Sequence, residues 1–125
     1  MKITGLAACR VVLDKWDVET RYTHALISIP LETTVLRIDT DEGLGGWGET
    51  MTPPSHYLPT SPQTARAGLD RIAPILLGAD PRNHRARMEE IAFPMRGPKP
   101  TKSVVDMALW GLVGKARGPI MEWRA

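Results

Sequence analysis

The side chains of this chain best suited to chemistry are three histidines and one cysteine. His24 and His56 lie in segments of loop composition, His84 follows a helical pattern, and Cys9 follows a strand pattern. None has a second His, Cys or carboxylate at metal-ligand spacing on its own element, and a single cysteine cannot build a zinc site. We therefore expect no metal site in the chain, no catalytic histidine, and a solvated His84.

The remaining motifs are also expected to be structural. Asp39, Asp41 and Glu42 surround a hairpin turn, which favours a solvated acidic turn over a cation site. The glycine-rich run 43–46 lacks the lysine and the strand-to-helix setting of a phosphate-binding loop. No serine has the flanking glycines of a nucleophile elbow. The sequence thus predicts no catalytic residue within the chain.

Two long connections carry the candidate binding residues. One runs over residues 16–30 and the other over 50–61, and connections of this length are often binding loops or lids. An irregular surface without a function is equally compatible with them. The candidate substrate-binding side chains in these loops are Tyr22, His24, Thr52, His56 and Tyr57.

An alternation of period two predicts the strands that hold these loops. It runs over residues 2–14, with Ile3, Gly5 and Ala7 on one face, and again over 33–40. Asp41-Glu42-Gly43 supplies a turn, and residues 44–50 return as a third strand. The glycines of this third strand suggest the close approach of another backbone or a bulge. The pattern predicts a three-stranded antiparallel meander.

After residue 62 the period becomes helical, and three helices are predicted near 62–77, 81–92 and 102–117. Ser61 is a suitable N-cap, and Pro74 should kink or end the first helix. Asp80-Pro81 is expected to open the second helix, and Thr101 or Ser103 to cap the third. Gly111 and Gly114 weaken the third helix and suggest close packing there. Strands followed by helices give an α+β fold, a meander and then a helical bundle.

Composition narrows the class of protein. The 125 residues carry a net charge of +2, and the basic residues are scattered, which argues against nucleic-acid binding. No apolar run approaches the ~18 residues of a membrane span. One cysteine is typical of a reducing compartment, and the first residues lack the pattern of a signal peptide. We expect a cytoplasmic protein.

Four segments in register resemble a known family. They are Met1-Lys2-Ile3-Thr4, the hairpin from Asp41 to Thr50, the run from Ala73 to Pro81, and Ser103 to Gly118 with Asp106-Met107-Ala108-Leu109-Trp110. Residues 1–118 resemble the N-terminal capping domain of the mandelate racemase and muconate-lactonising branch of the enolase superfamily. Position 111 is glycine where that pattern usually has aspartate, and residues 119–125 depart from it as an aberrant tail.

The resemblance implies a role. In this family the cap precedes a catalytic barrel that holds Mg²⁺ and the bases, and two cap loops close over a carboxylate substrate. The chain ends where that barrel would begin, so it is expected to hold no cofactor and to be inactive as an isolated racemase, epimerase or dehydratase fragment. The segment 53–59 looks most like members that act on proline betaines and hydroxyprolines, where Tyr57 could stack on a cationic ring nitrogen. The alternative is a stand-alone binding or assembly module that reuses the cap fold.

Self-association is the expected partnership. Without a barrel, apolar surface would be left bare, and a symmetric homo-oligomer would cover it, although a monomer with folded-back loops is the alternative. The residues expected to form this surface are Leu26, Ile27, Ile29, Leu31, the loop 51–59, Ile120, Met121 and Trp123.

Overall fold

The computed structural model of the protein describes residues 1–13, 20–22, 25–27, 31–52 and 59–118. Its elements are β1 (Ile3–Leu13), β2 (Thr20–Tyr22), β3 (Ala25–Ile27), β4 (Leu31–Thr40), β5 (Gly45–Met51), α1 (Pro62–Leu76), α2 (His84–Ala92) and α3 (Lys99–Arg117). The larger sheet has the order β1-β4-β5, and both pairings are antiparallel. The predicted α+β fold, a three-stranded antiparallel meander followed by helices, is confirmed.

A second small sheet lies within the segment predicted as the first loop. β2 and β3 pair antiparallel, with Thr20 opposite Ile27 and Tyr22 opposite Ala25. Three-residue strands are too short to produce a readable alternation, so the sequence pattern did not separate them from irregular loop.

The faces of β1 differ from the simple alternation. A register shift between Ile3 and Gly5 inserts one extra residue, so Leu6 rather than Gly5 joins the helix side of the sheet. Ile3 is buried, and Leu6 packs against the core as a partly buried side chain. The predicted grouping of Ile3, Gly5 and Ala7 on one face was therefore wrong, because a bulge moves every following side chain to the other face.

The core lies between the sheet and the helices. Leu36 and Ile38 of β4 point from the sheet towards buried side chains of α1 and α3, as the alternation over 33–40 predicted. The helical members of this cluster, each less than a tenth exposed, are Leu69, Ile72, Leu76, Ile91, Val104, Val105, Ala108, Leu109 and Leu112. Burial of these side chains stabilises the helices, because isolated helices of this length are marginal in water.

Helix α3 lies directly on the backbone of β5. A Cβ atom at Gly46 would be 2.7 Å from Leu112 Cγ and would overlap the carbonyl oxygen of Ala108. A Cβ atom at Gly48 would likewise overlap the carbonyl oxygen of Val104. The close approach of another backbone that the glycines suggested is confirmed at these two positions. At Gly111 the contact is ordinary, since a Cβ atom there would lie 3.8 Å from Gly46 Cα.

The first helix begins as predicted and passes its proline. The Ser61 hydroxyl accepts a hydrogen bond from the Thr64 amide at 3.1 Å, and Pro62 stands in the first turn. Pro74 lies inside α1, which ends two residues later at Leu76. Proline there removes one internal hydrogen bond close to a terminus, so it costs the helix less than in its middle.

The starts of the other two helices differ from the prediction. The Asp80 carboxylate accepts from the Arg82 amide at 2.9 Å and pairs with the Arg82 guanidinium, which holds a turn, and α2 begins at His84 with Asn83 as its N-cap. Helix α3 begins at Lys99 without a side-chain cap. Thr101 is not a cap, because its buried hydroxyl donates instead to the carbonyl oxygen of Ala65 in α1 at 2.7 Å.

Candidate functional site

Both long connections leave the sheet from the same end. Leu13, the last residue of β1, lies opposite Leu31, the first residue of β4. On the other side of β4, Thr33 lies opposite Met51, the last residue of β5. In an antiparallel meander the chain after β1 and the chain after β5 must leave from the same end of the sheet. The backbone therefore brings together the points at which the two segments with the candidate binding residues leave the sheet.

A carboxylate clamped by two arginines anchors this end of the sheet to α1. Glu32 Oε1 lies 2.6 Å from Arg66 Nη1, and Glu32 Oε2 lies 2.9 Å from Arg10 Nε. Hydrogen bonds from Arg66 and then from Arg10 lower the pKa of Glu32 below its ordinary value. Arg66 Nη1 also donates to the Thr34 hydroxyl at 3.3 Å. The Glu32 side chain is 13% exposed and that of Arg10 is 60% exposed, so the carboxylate at the base of the first loop is mostly enclosed while one of its arginines faces solvent.

Two threonines mark the point where the second loop leaves. The Thr33 hydroxyl donates to Glu49 Oε1 at 2.9 Å across the β4–β5 pair. Thr52, directly after β5, is 4% exposed, and its hydroxyl has no hydrogen-bond partner among the described residues. A buried hydroxyl without a partner costs free energy, so such groups call for an explanation.

A cleft of about 600 Å³ opens beside the start of the second loop. It lies between the end of β5, the residues that lead into α1, and the first turn of α3. The lining residues are Thr50, Pro59, Thr60, Pro98, Lys99, Pro100 and Ser103. The Thr60 hydroxyl is also buried and has no partner among the described residues. Among the described residues of this lining, Lys99 is the one cation, and the cleft has the size of a small-molecule site.

Two of the five predicted binding residues, Thr52 and Tyr22, lie within the described part of the chain. Thr52 lies at the common end of the sheet, and Tyr22 is the last residue of β2. His24, His56 and Tyr57 lie outside the described residues. The described backbone therefore brings Thr52 to the end of the sheet from which both loop segments depart.

His84 is more buried than its sequence context predicts. It was expected to be solvated, but its side chain is 17% exposed and its Nε2 lies 2.6 Å from Asp106 Oδ1. Its ring centroid lies 4.3 Å from that of Trp110. Asp106 and Trp110 are four residues apart on α3 and so share a helix face, which is the one sequence signal that could have indicated a partner. The contact joins α2 to α3.

Among the described residues, no nucleophile is hydrogen-bonded to this histidine–aspartate pair. The pair lies beside a groove of about 770 Å³ between α2 and α3, which Lys102 and Ser103 also line. Ser103 is exposed, and no hydrogen bond joins it to His84 in the described part of the chain. The pair therefore has the geometry of a tie between helices.

Metal ligands do not cluster in the described ranges, where no group of three or more His, Cys, Asp or Glu side chains could hold an ion. At the hairpin turn, Asp39 pairs with Arg37 at 2.8 Å, and Asp41 accepts from the Lys2 amide at 2.7 Å. Within the same ranges, no helix combines the length and the apolar composition that a bilayer crossing requires.

Comparison with known proteins gives one consistent family. Residues 8–122 match the family described as mandelate racemase / muconate lactonizing enzyme, N-terminal domain. A cis-3-hydroxy-L-proline dehydratase of Roseibium aggregatum is 35% identical over 118 residues, which are 94% of this chain and 32% of that protein. A D-galactonate dehydratase of Ralstonia nicotianae is 31% identical over 100 residues, 75% of this chain and 25% of its own length.

Solved structures agree with the sequence comparison. A member of the enolase superfamily from Roseovarius nubinhibens ISM, crystallised with magnesium, superposes with a TM-score of 0.81 at 37% identity. The match covers 94% of this chain and 31% of that protein. The chain thus spans about a third or less of the length of the relatives that it matches.

Proposed function

Since the chain belongs to the mandelate racemase / muconate lactonizing enzyme family, we propose that it is the capping domain of a racemase, epimerase or dehydratase. In this proposal the domain sets substrate specificity and the substrate is a small carboxylate. The observation that supports the proposal is the shared end of the sheet, because Leu13, Leu31 and Met51, where the two loop segments depart, lie at that end. Two loops at one end of a sheet can enclose a small molecule against the surface of a second domain.

The substrate contacts in this proposal come from the loops. Tyr22, His24, Thr52, His56 and Tyr57 are the proposed contacts. The relative from Roseibium aggregatum is named for a hydroxyproline, a carboxylate whose ring nitrogen is cationic when protonated. An aromatic ring such as that of Tyr57 attracts such a cation. Proline-derived carboxylates are therefore the first substrates to test.

The metal of the proposed reaction does not fit the described residues, which lack the necessary group of ligands. In this proposal any Mg²⁺ would be held by residues outside this chain, where it would supply Lewis-acid stabilisation of charge on the substrate carboxylate. The described residues would act by positioning and enclosing the substrate, and the isolated chain is expected to be inactive. A cytoplasmic location belongs to the same proposal, because the single cysteine, Cys9, is a free thiol.

A chimera tests the capping role. Residues 1–118 would replace the corresponding N-terminal segment of the Roseibium aggregatum dehydratase, to which the chain is 35% identical. We expect an active enzyme whose kcat/KM among proline-derived carboxylates changes when Tyr57→Ala or His56→Ala is introduced. The matched control is Arg85→Ala, which alters an exposed residue of α2 outside the two loop segments. A folded, active chimera whose substrate preference ignores both loop variants would contradict the proposal.

The isolated chain gives a second test. Purified chain with Mg²⁺ is incubated in D₂O with proline betaine, hydroxyproline or mandelate, and loss of the α-proton signal is followed by NMR. We expect no exchange above the rate in buffer, because no ligand group in the described residues can hold the ion. Exchange that depends on the chain would overturn the expected inactivity and leave the capping role to be judged by the chimera.

A further inference from the structure

Among the described residues, strand β1 is an edge strand, and most of its outer side has no backbone partner. The described contacts on that side are at its first residue, where the Ile3 amide donates to the Ala79 carbonyl and the Ile3 carbonyl accepts from the Gly78 amide, both at 2.9 Å. From Gly5 to Leu13, the hydrogen-bonded strand neighbour in the described part of the chain is β4 alone. Every second backbone amide and carbonyl along this stretch therefore faces outwards.

The opposite edge of the sheet, formed by β5, carries a lysine contact. On β5 the carbonyl oxygen of Gly45 accepts a hydrogen bond from Lys115 Nζ of α3, and a lysine at an edge is a common device against strand pairing. The regular part of β1 contains one charged residue, Arg10, which pairs with Glu32 of the same chain. Three apolar side chains at the end of β1 are more than a third exposed: Val11, Val12 and Leu13.

We propose that β1 pairs antiparallel with β1 of a second copy, with a two-fold axis at Cys9. The regular register comprises the nine residues Gly5–Leu13, and Cys9 is at its centre. Full overlap of two such strands places Cys9 opposite Cys9. The two sheets then form one continuous sheet of six strands, with an interface about 30 Å long at ~3.4 Å per residue. A symmetric contact of this kind closes on itself and gives a dimer.

Side-chain sizes match in this register. The small residues stand in the first half of the strand and the large ones in the second, so antiparallel pairing sets each large residue against a smaller one or against Leu6. The pairs are Leu13 with Gly5, Val12 with Leu6, Val11 with Ala7, and Arg10 with Ala8. Directly opposite side chains on one face determine how well a strand pair packs. The strand is thus complementary to a second copy of itself.

Other registers are less favourable. Residues that lie opposite each other in the strand pair must point to the same face of the sheet. The pairing can therefore shift only by two residues at a time, which moves the two-fold axis by one residue. Moving the axis to Arg10 puts two arginines opposite each other, and like charges in that position are destabilising. Moving the axis to Ala8 leaves Val12 and Leu13 without partners. This inference rests on β1 alone and does not depend on the proposed capping role.

Mass and cross-linking test the dimer. We expect sedimentation equilibrium of the reduced full chain at micromolar concentration to give twice the monomer mass of 13.8 kDa. Mild oxidation with copper phenanthroline should then link most of the chain through Cys9, because the ~4.5–5.5 Å between opposite Cα atoms suits a disulfide. Cys9→Ser should lose the link and keep the dimer mass. A monomer, a heterogeneous aggregate, or a dimer without the Cys9 link would overturn the proposal.

Relocated thiols test the register. In the Cys9→Ser chain, Ala7→Cys alone and Val11→Cys alone should not cross-link, whereas a mixture of the two should, because residue 7 faces residue 11 of the other copy. All three positions are exposed, so the variants should fold. Ala8→Lys, which sets a cation opposite Arg10 of the other copy, should weaken the dimer at least tenfold, and the matched Ala8→Glu should not. Cross-linking of either single thiol variant with itself, or equal dimerisation of the lysine and glutamate variants, would contradict this register.

Discussion

Replacing Gly46 by alanine tests whether α3 lies directly on the backbone of β5. The new Cβ atom would be 2.7 Å from Leu112 Cγ and would overlap the carbonyl oxygen of Ala108. Carbon atoms in ordinary contact are about 3.5–4.0 Å apart, so the strand and the helix must separate by roughly 1 Å. Ala108 and Leu112 are fully buried, so the separation would loosen the core around them.

The size of the effect follows from this overlap. Extra atoms in a packed core usually cost about 1–3 kcal/mol. We expect the upper end, about 3 kcal/mol, because one obstacle is a helix backbone carbonyl that cannot rotate away as a side chain can. For a domain of this size each kcal/mol lowers Tm by roughly 4 °C, so the expected decrease is about 12 °C.

Two other glycines provide matched controls for thermal and urea unfolding followed by circular dichroism. At Gly111, across the same contact, the nearest atom to a new Cβ is 3.8 Å away, so Gly111→Ala should raise stability by up to about 1 kcal/mol through helix propensity. At Gly45 the nearest atom, Asp39 Oδ1, is 3.6 Å away, and alanine should be nearly neutral. A Tm of the Gly46→Ala chain within about 2 °C of the wild type would refute the reasoning.

Two further substitutions test the polar contacts. Glu32→Gln should lower the free energy of unfolding at pH 7 by about 1–2 kcal/mol, because it removes the charge held by Arg10 and Arg66. The pKa of Glu32 is lowered in the folded chain, so this stabilisation is present above the unfolded value of ~4.3 and is lost as the pH falls through the folded value. The urea midpoints of the two chains should therefore approach each other as the pH falls below ~4.3, and a gap independent of pH would count against the clamp. Thr101→Val should cost about 1 kcal/mol, seen as a lower urea midpoint at an unchanged slope, because the buried hydroxyl that donates to Ala65 is lost; an unchanged midpoint would argue against this bond.

The fold could be predicted from sequence because its elements follow regular periods. The alternation over 33–40 identified the buried face of β4, where Leu36 and Ile38 are almost fully enclosed. The helical spacing of Leu69, Ile72 and Leu76 identified the buried face of α1 in the same way. Such patterns report which residues face the core irrespective of what the core contains.

Helix boundaries were predicted less well because they depend on competition for a few polar groups. Asp80 could cap a helix, but in the structure it accepts from Arg82 and holds a turn. Thr101 could cap α3, but it donates to α1 instead. A polar side chain with several possible partners is assigned only when the partner that it takes in the folded chain is known, whether near in sequence, as for Asp80, or distant, as for Thr101.

The sequence by itself determined the order of strands and helices, their buried faces, and the family to which their spacing belongs. Only the tertiary structure decided what lies opposite each residue: the backbone of α3 over Gly46, Asp106 and Trp110 beside His84, and Arg66 on Glu32. The tertiary structure also decided that both loop segments leave from one end of the sheet, because this depends on how β1 and β5 flank β4. Periodicity is a property of neighbouring residues in the chain, whereas these contacts join residues that are far apart in sequence and so leave no local pattern.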